Sequence, residues 1–310
     1  MFQTHVRLLR SSAVSRIGAA TLVAMALSIG LAPSAHARVL RDEGGHHHAR
    51  YYLALGASYA FGYQEARINA ELAAGTYNPA SFTTGYVDDF AQALAADESH
   101  LQTVNYSCPG ETTQSFIAGG CEFHTHGLPL HNDYPATASQ LSTAVTFLSS
   151  SPHRVHIITI GLTELSGNAL GHLYFGTCNR DAACTAAAFP AFLAQIRAGS
   201  DQILTALHAA SPASRIIVLQ VFDPYMLAIP ISIPLWQQMN GVLASVAVAH
   251  QAVLADGVTP FTPANLCTLT PVCIPPLNDI HPTDQGYQVL AQALWTAYNN
   301  DGDSKTDTQD

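Results

Sequence analysis

Four short strand candidates set the terms on which this chain can fold: Tyr51–Leu55 (YYLAL), His100–Tyr106, Arg154–Ile160 (RVHIITI) and Arg215–Phe222. Each is shorter than an ordinary helix, carries aromatic or β-branched residues and stops at or near glycine or proline, as buried strands do. Helical periodicity fills the gaps. Thr84–Ala96 places Tyr86, Phe90 and Leu94 four apart, with Thr84 as the expected N-cap and Asp88 and Asp89 in the early turns. Leu141–Leu148 reads as a helix, and residues 186–208 carry Phe189, Phe192, Ile196, Ile203, Leu204 and Leu207 in helical register. Ile231–His250 reads as a helix broken early by Pro234, Val253–Ala255 opens a fifth short strand, and Asp284–Tyr298 closes the pattern. Strands alternating with helices imply a parallel sheet with right-handed crossovers, covered on both faces. The expected fold is a three-layer α/β/α sandwich.

The chain has 310 residues, 48% hydrophobic and only 11% charged, enough for one large core in a domain expected over 51–298. Ahead of it, Arg7, Arg10 and Arg16 precede an apolar run from Ile17 to Leu31 and an Ala35-His36-Ala37 site, the pattern of a secretory signal peptide over 1–37 with cleavage after Ala37. The run is shorter than the ~20 residues that cross a bilayer, so export is expected, with no stable membrane insertion afterwards. Arg38–Arg50, with His46-His47-His48 inside it, reads as a linker, and 299–310 as a disordered acidic tail. Cleavage removes three arginines and no acid, moving the net charge from −10 to −13, which disfavours nucleic acid and anionic membranes as partners.

Six cysteines allow fifteen pairings. Local closure is expected for Cys108 with Cys121, Cys178 with Cys184, and Cys267 with Cys273, because each pair brackets a loop rich in Gly, Pro, Asn or Thr and an exported chain meets an oxidising compartment. No C-x-x-C spacing occurs, and His124, His126 and His131 read as surface histidines, so neither a metal nor an organic cofactor is expected.

Chemistry enters where the first apolar run stops, at Gly56-Ala57-Ser58. A serine at the carboxyl end of a parallel strand stands at the edge where ligands bind in open sheets. Near the other end, Asn278-Asp279-Ile280-His281 supplies an imidazole beside a carboxylate just before a helix, which is what a serine nucleophile needs as base and orienter. Ala60 stands where a G-x-S-x-G elbow needs glycine, against the common α/β-hydrolase arrangement.

These blocks resemble the SGNH (GDSL) hydrolase family, whose signature is a GDS serine near the start, a glycine, an asparagine, and a D-x-x-H near the end. The likeness covers nearly all of the chain after residue 50. It implies a flavodoxin-like five-stranded parallel sheet, Ser58 as nucleophile, His281 as base, and an oxyanion hole from the Ser58 backbone, Gly110 of Pro109-Gly110-Glu111-Thr112, and the third block. Three departures stand out. Ala57 replaces the aspartate of GDS, which is not a catalytic group in the family. In strict register the orienting acid falls on Asn278, so either Asp279 reaches the imidazole by a shifted turn or a backbone carbonyl orients it. Ile160-Gly161-Leu162-Thr163-Glu164 carries Thr163 in place of the asparagine that donates to the oxyanion; either its hydroxyl substitutes, or Gly167-Asn168 supplies an amide. Loss of one such donor costs about 10² to 10³ in turnover. Pro224–Trp236 (PYMLAIPISIPLW) reads either as a buried loop or as an apolar wall for an acyl chain. The resemblance implies an exported serine esterase or lipase-like hydrolase of a small-molecule ester or acylated glycan. The departures leave open a non-catalytic binding module, and acyl transfer to a sugar is a third possibility.

Overall fold

The computed structural model describes residues 50–97 and 100–306. The signal-peptide segment and nearly all of the expected linker, with its three histidines, lie outside the described residues, as do 307–310. Five strands form one all-parallel sheet: β1 (Arg50–Leu55), β2 (Leu101–Asn105), β3 (Val155–Ile160), β4 (Arg215–Val221) and β5 (Val253–Gly257). Their order is β2-β1-β3-β4-β5, the flavodoxin-like order. In register, Tyr52 pairs with Thr103 on one side and Ile157 on the other. The strands between the edges are nearly continuously buried, because helices cover both faces. The Tyr52 hydroxyl, sealed inside the sheet, is satisfied by Thr159 Oγ1 at 2.7 Å.

The helices are α1 (Ser58–Phe61), α2 (Glu65–Ala74), α3 (Tyr86–Asp97), α4 (Thr113–Ala118), α5 (Glu122–Thr125), α6 (Gln140–Ser150), α7 (Leu162–Gly171), α8 (Ala182–Ala210), α9 (Ser232–Ala249), α10 (Leu266–Leu269) and α11 (Asp284–Thr306). α3 packs on α11, while α4, α6, α8 and α9 pack among themselves, giving the outer layers of a three-layer α/β/α sandwich. Reciprocal capping boxes start α4 (Thr112 with Ser115) and α6 (Ser139 with Ser142).

Local readings change in four places. α2 stands where the sequence reads as a loop. EARINAELAA consists of sound helix formers, but only Ile68 is buried, so it lacks an apolar stripe. α3 starts from Gly85, whose carbonyl accepts the Asp88 and Asp89 N–H groups, and Thr84 instead donates to Asp284 Oδ1 at 3.0 Å. Pro234 does not break α9, because that helix begins at Ser232 and its first turn has no N–H to lose. α11 runs on through 299–306, the first part of the expected tail; no proline stops it, and Gly302 costs only ~1 kcal/mol.

The three sequence-local cysteine pairs lie at disulfide range, with Cα separations of 6.4 Å (Cys108–Cys121), 5.5 Å (Cys178–Cys184) and 5.4 Å (Cys267–Cys273). Among the described residues, no helix is long and apolar enough to cross a membrane. In the β2-β1-β3-β4-β5 order the chain reverses direction beside β1 and β3, so a crevice opens past the carboxyl ends of those two strands. Ser58 follows β1 and α7 follows β3.

Candidate active site

β1 ends at Leu55, Gly56 turns with φ +150°, and Ser58 opens the single-turn helix α1 with 8% of its surface exposed. Two buried side chains hold this turn. Gln140 of α6 pairs with both faces of the Gly56 peptide: Gly56 N–H donates to Oε1 at 2.8 Å, and Nε2 donates to Gly56 O at 3.0 Å. Glu164 of α7 accepts the Tyr59 N–H at 2.8 Å and the Ala60 N–H at 3.4 Å on Oε2, while Tyr86 OH donates to Oε1 at 3.4 Å. Gly56 and Gly161 make room for that carboxylate, since a Cβ at either would collide with it. Burial pushes the Glu164 carboxyl up to about 7, against the opposing pull of the Ala57, Tyr59 and Ala60 backbone and the Tyr86 hydroxyl.

In the loop before α11, His281 Nδ1 meets Asp279 Oδ1 at 2.5 Å, and the same oxygen accepts the His281 N–H at 3.0 Å. Asp279 Oδ2 accepts the Glu65 N–H at 2.8 Å. Burial, at 3% exposure, works to raise the Asp279 pKa, but the charge and hydrogen bonds of His281 and the Glu65 N–H outweigh it and the net shift is downward. Asn278, in strict register for the acid, takes a left-handed φ of +48° and donates Nδ2 to Val272 O at 2.9 Å, away from the imidazole. Aromatic residues tie this loop to the serine turn. Tyr59 OH donates to Ile280 O at 2.8 Å, its ring lies edge-on to His281 at 5.5 Å, and Tyr63 covers the imidazole at 4.4 Å. Ser58 and Ile280 line one cleft of about 310 Å³, although more than two hundred residues separate them in sequence. Among the described residues, neither the Ser58 hydroxyl nor its N–H has a hydrogen-bond partner.

The oxyanion candidates separate. Thr163 is fully buried and donates its hydroxyl to Asn240 Oδ1 of α9 at 2.7 Å, so the side chain expected to replace the asparagine is committed elsewhere. The reason is helix phase. Glu164 and Asn168, one turn apart on α7, share the face on the cleft, and Thr163 falls on the face toward α9. Asn168 donates Nδ2 to Glu111 O at 2.8 Å, leaving a second amide hydrogen. Gly110 occupies a left-handed turn (φ +81°) beside the serine turn: Cys108 N–H donates to Gly56 O at 3.2 Å, and Asn168 contacts the residue after Gly110. Glu111 itself is buried, accepts from Gln140 Nε2 at 3.1 Å and is pushed up to about 7, chiefly by burial.

A second cavity, lined almost wholly by apolar side chains, lies next to the cleft and shares Gly167, Tyr225 and Trp236 with it. Leu170 and the π-turn residues Tyr174 and Phe175 form one wall. Tyr225, Ile229, Ile231, Leu235 and Trp236 form the other, so Pro224–Trp236 is a cavity wall. Trp236 is pinned by its indole N–H, which donates to Val221 O at 2.8 Å. Among the described residues, the grouping of metal-ligand type is Cys108, Glu111 and Cys121, and both its sulfurs belong to one disulfide pair. His124 instead faces Asp133 at 3.3 Å, and His131 faces Phe61 O at 2.9 Å.

Residues 54–289 match the GDSL-like lipase/acylhydrolase family. The chain belongs to this family. No curated protein sequence matches it significantly. Among solved structures, it is similar to an extracellular lipase from Streptomyces rimosus, at 20% identity over 80% of this chain and 100% of that one, TM-score 0.53. It is also similar to phospholipase A1 from Streptomyces albidoflavus, at 17% identity over 81% and 100%, TM-score 0.54. An acetylxylan esterase from Geobacillus stearothermophilus follows at 16% identity over 80% and 93%, TM-score 0.50. At these identities the likeness is one of fold.

Against the family signature the chain departs at Ala57 and Thr163; Glu164 accepts the Tyr59 N–H of the turn that contains Ala57, and Asn168 lines the cleft. Asn168 is the alternative amide the motif offers, whereas no motif position points to Glu164 or Gln140. A signal for Glu164 is visible in retrospect: Gly56 and Gly161, each just past a strand, leave space between neighbouring strand ends that a side chain two or three residues into α7 can fill.

Proposed function

We propose that the chain is an exported serine hydrolase that cleaves carboxylic esters with an apolar acyl group through an acyl-enzyme on Ser58. The observation that carries this reading is the Asp279–His281 pair, held in a loop that borders the same cleft as Ser58. An Nδ1–H directed at Asp279 leaves the Nε2 lone pair free to act as base. In the first step His281 Nε2 takes the Ser58 proton as Oγ attacks the ester carbonyl carbon. The Ser58 N–H, the Gly110 N–H and the Asn168 amide stabilise the resulting oxyanion. Collapse breaks the bond to the leaving oxygen, which takes the proton from His281. Water, giving a proton to His281 Nε2, then attacks the acyl carbon, and collapse breaks the bond to Ser58 Oγ, which takes that proton back from His281 as the acid leaves. The apolar cavity beside the cleft favours a substrate acyl chain longer than acetyl. Export is supported by the N-terminal Arg-apolar-AHA pattern and the three cysteine pairs.

The test is turnover of p-nitrophenyl esters by the purified protein, in which Ser58→Ala abolishes activity. A rate unchanged by that substitution removes Ser58 from the mechanism. A second reading, a binding module that keeps the cleft but not the chemistry, draws on the commitment of Thr163 to Asn240. Failure of a fluorophosphonate probe to label Ser58, together with retained ligand binding, favours it.

A further inference from the structure

We propose that Glu164 is the positioning residue of the nucleophile turn: its carboxylate, delivered from α7, takes the N–H groups on one side of Ser58 and leaves the Ser58 N–H for the oxyanion. The proposal rests on the reading of Ser58 as nucleophile. It starts from the backbone accounting of α1. The first intrahelical bond of that helix runs from Phe61 N–H to Ala57 O at 3.1 Å, so the Ser58, Tyr59 and Ala60 N–H groups have no partner within the helix. Glu164 Oε2 takes Tyr59 and Ala60, at 2.8 and 3.4 Å. Of the three, the Ser58 N–H alone has no acceptor among the described residues, and Ser58 borders the cleft.

The space for this carboxylate is built in. Gly56 at the end of β1 and Gly161 at the end of β3 each lack the Cβ that would strike it, and Tyr86 OH from α3 reaches its second oxygen. The turn has no acid of its own, because residue 57 is alanine and fully buried. A carboxylate from the next strand's helix therefore holds the turn from below, where a carboxylate at residue 57 would have been part of the turn itself. The titratable groups facing Glu164 are the phenols of Tyr59, Tyr86 and Tyr287, all driven toward the neutral form by burial. The carboxylate is thus the ionising group of this layer, and its raised pKa lets it change charge near neutrality.

The experiment compares wild type, Glu164→Ala and Glu164→Gln for kcat and KM on one short p-nitrophenyl ester from about pH 5 to pH 9, with Ser58→Ala alongside and folding checked by circular dichroism and thermal unfolding. Glu164→Ala frees the two N–H groups and lets the turn relax, so kcat is expected to fall on the order of 10²-fold with KM little changed. Glu164→Gln keeps an acceptor oxygen and is expected to recover most of that loss, while removing one titration near neutrality from the acid limb of kcat. A folded Glu164→Ala protein with wild-type kcat overturns the proposal, as does a folded Glu164→Gln protein no faster than Glu164→Ala. An active Ser58→Ala protein overturns the nucleophile reading itself, a separate failure visible in the same experiment.

Discussion

If the apolar cavity receives the acyl chain, Gly167 stands at its boundary with the cleft. Gly167 borders both spaces, and a Cβ there would lie 2.5 Å from Trp236 Cη2 and within 3.3 Å of two further ring atoms. Carbon atoms pack at about 3.5–4.0 Å, so the indole would have to shift by roughly 1 Å. It is held against that shift by its hydrogen bond to Val221 O. Gly167→Ala therefore forces Trp236 or the backbone of α7 to give way and reshapes the boundary between the cavity and the cleft. The backbone pulls the other way, since alanine inside α7 gains ~1 kcal/mol of helix propensity over glycine, so the variant is expected to fold. Each methylene taken from water contributes about 0.8 kcal/mol, close to a fourfold effect. Four methylenes, the step from a butanoyl to an octanoyl ester, give ~3 kcal/mol or about 10²-fold in kcat/KM if the cavity accepts them all. The assay is kcat/KM over p-nitrophenyl acetate, butanoate and octanoate. Wild type is expected to rise along the series, and the octanoate-to-acetate ratio to drop at least about tenfold in Gly167→Ala. Equal ratios in the two proteins would refute the assignment of this cavity to the acyl chain.

Two further outcomes follow from the same geometry. Asn168→Ala removes a side-chain donor from the cleft and is expected to lower kcat by about 10²- to 10³-fold with KM nearly unchanged, read from steady-state kinetics on a single ester; a fall in KM-dependent binding alone would move Asn168 out of the oxyanion hole. Glu111 and Glu164, raised from 4.5 to about 7 by burial, each oppose folding when ionised by about 3 kcal/mol. The stability they contribute is full below pH ~4.5 and is lost as pH rises through about 7. Asp279, shifted downward, acts oppositely and withdraws its contribution only at lower pH. Urea midpoints are therefore expected to rise from pH 8 to pH 5, and Glu111→Gln to flatten that rise; a midpoint independent of pH in wild type contradicts the burial of both acids.

The sheet was legible because buried parallel strands are written as nearly continuous apolar runs, and RVHIITI and RIIVLQV are dominated by Ile, Val and Leu. The β2-β1-β3-β4-β5 order came from the family resemblance, since apolar pattern alone does not say which strand neighbours which. The histidine loop was legible in content but not in register: Asn278 and Asp279 were both available, and the left-handed backbone at Asn278 turns its amide to Val272 while Asp279 faces the ring. Thr163 points its hydroxyl at Asn240 for a different reason. Counting along a motif fixes how far a residue lies from the strand end, whereas the face it occupies on the following helix depends on where that helix is capped. With Gly161 as N-cap, the cleft face of α7 falls to Glu164, Gly167 and Asn168, and Thr163 turns to α9. A site assembled from a strand end and the helix after it is therefore read from helix phase before motif order, and by that rule the polar residues of α7 to weigh first for chemistry are the glutamate and the asparagine one turn apart.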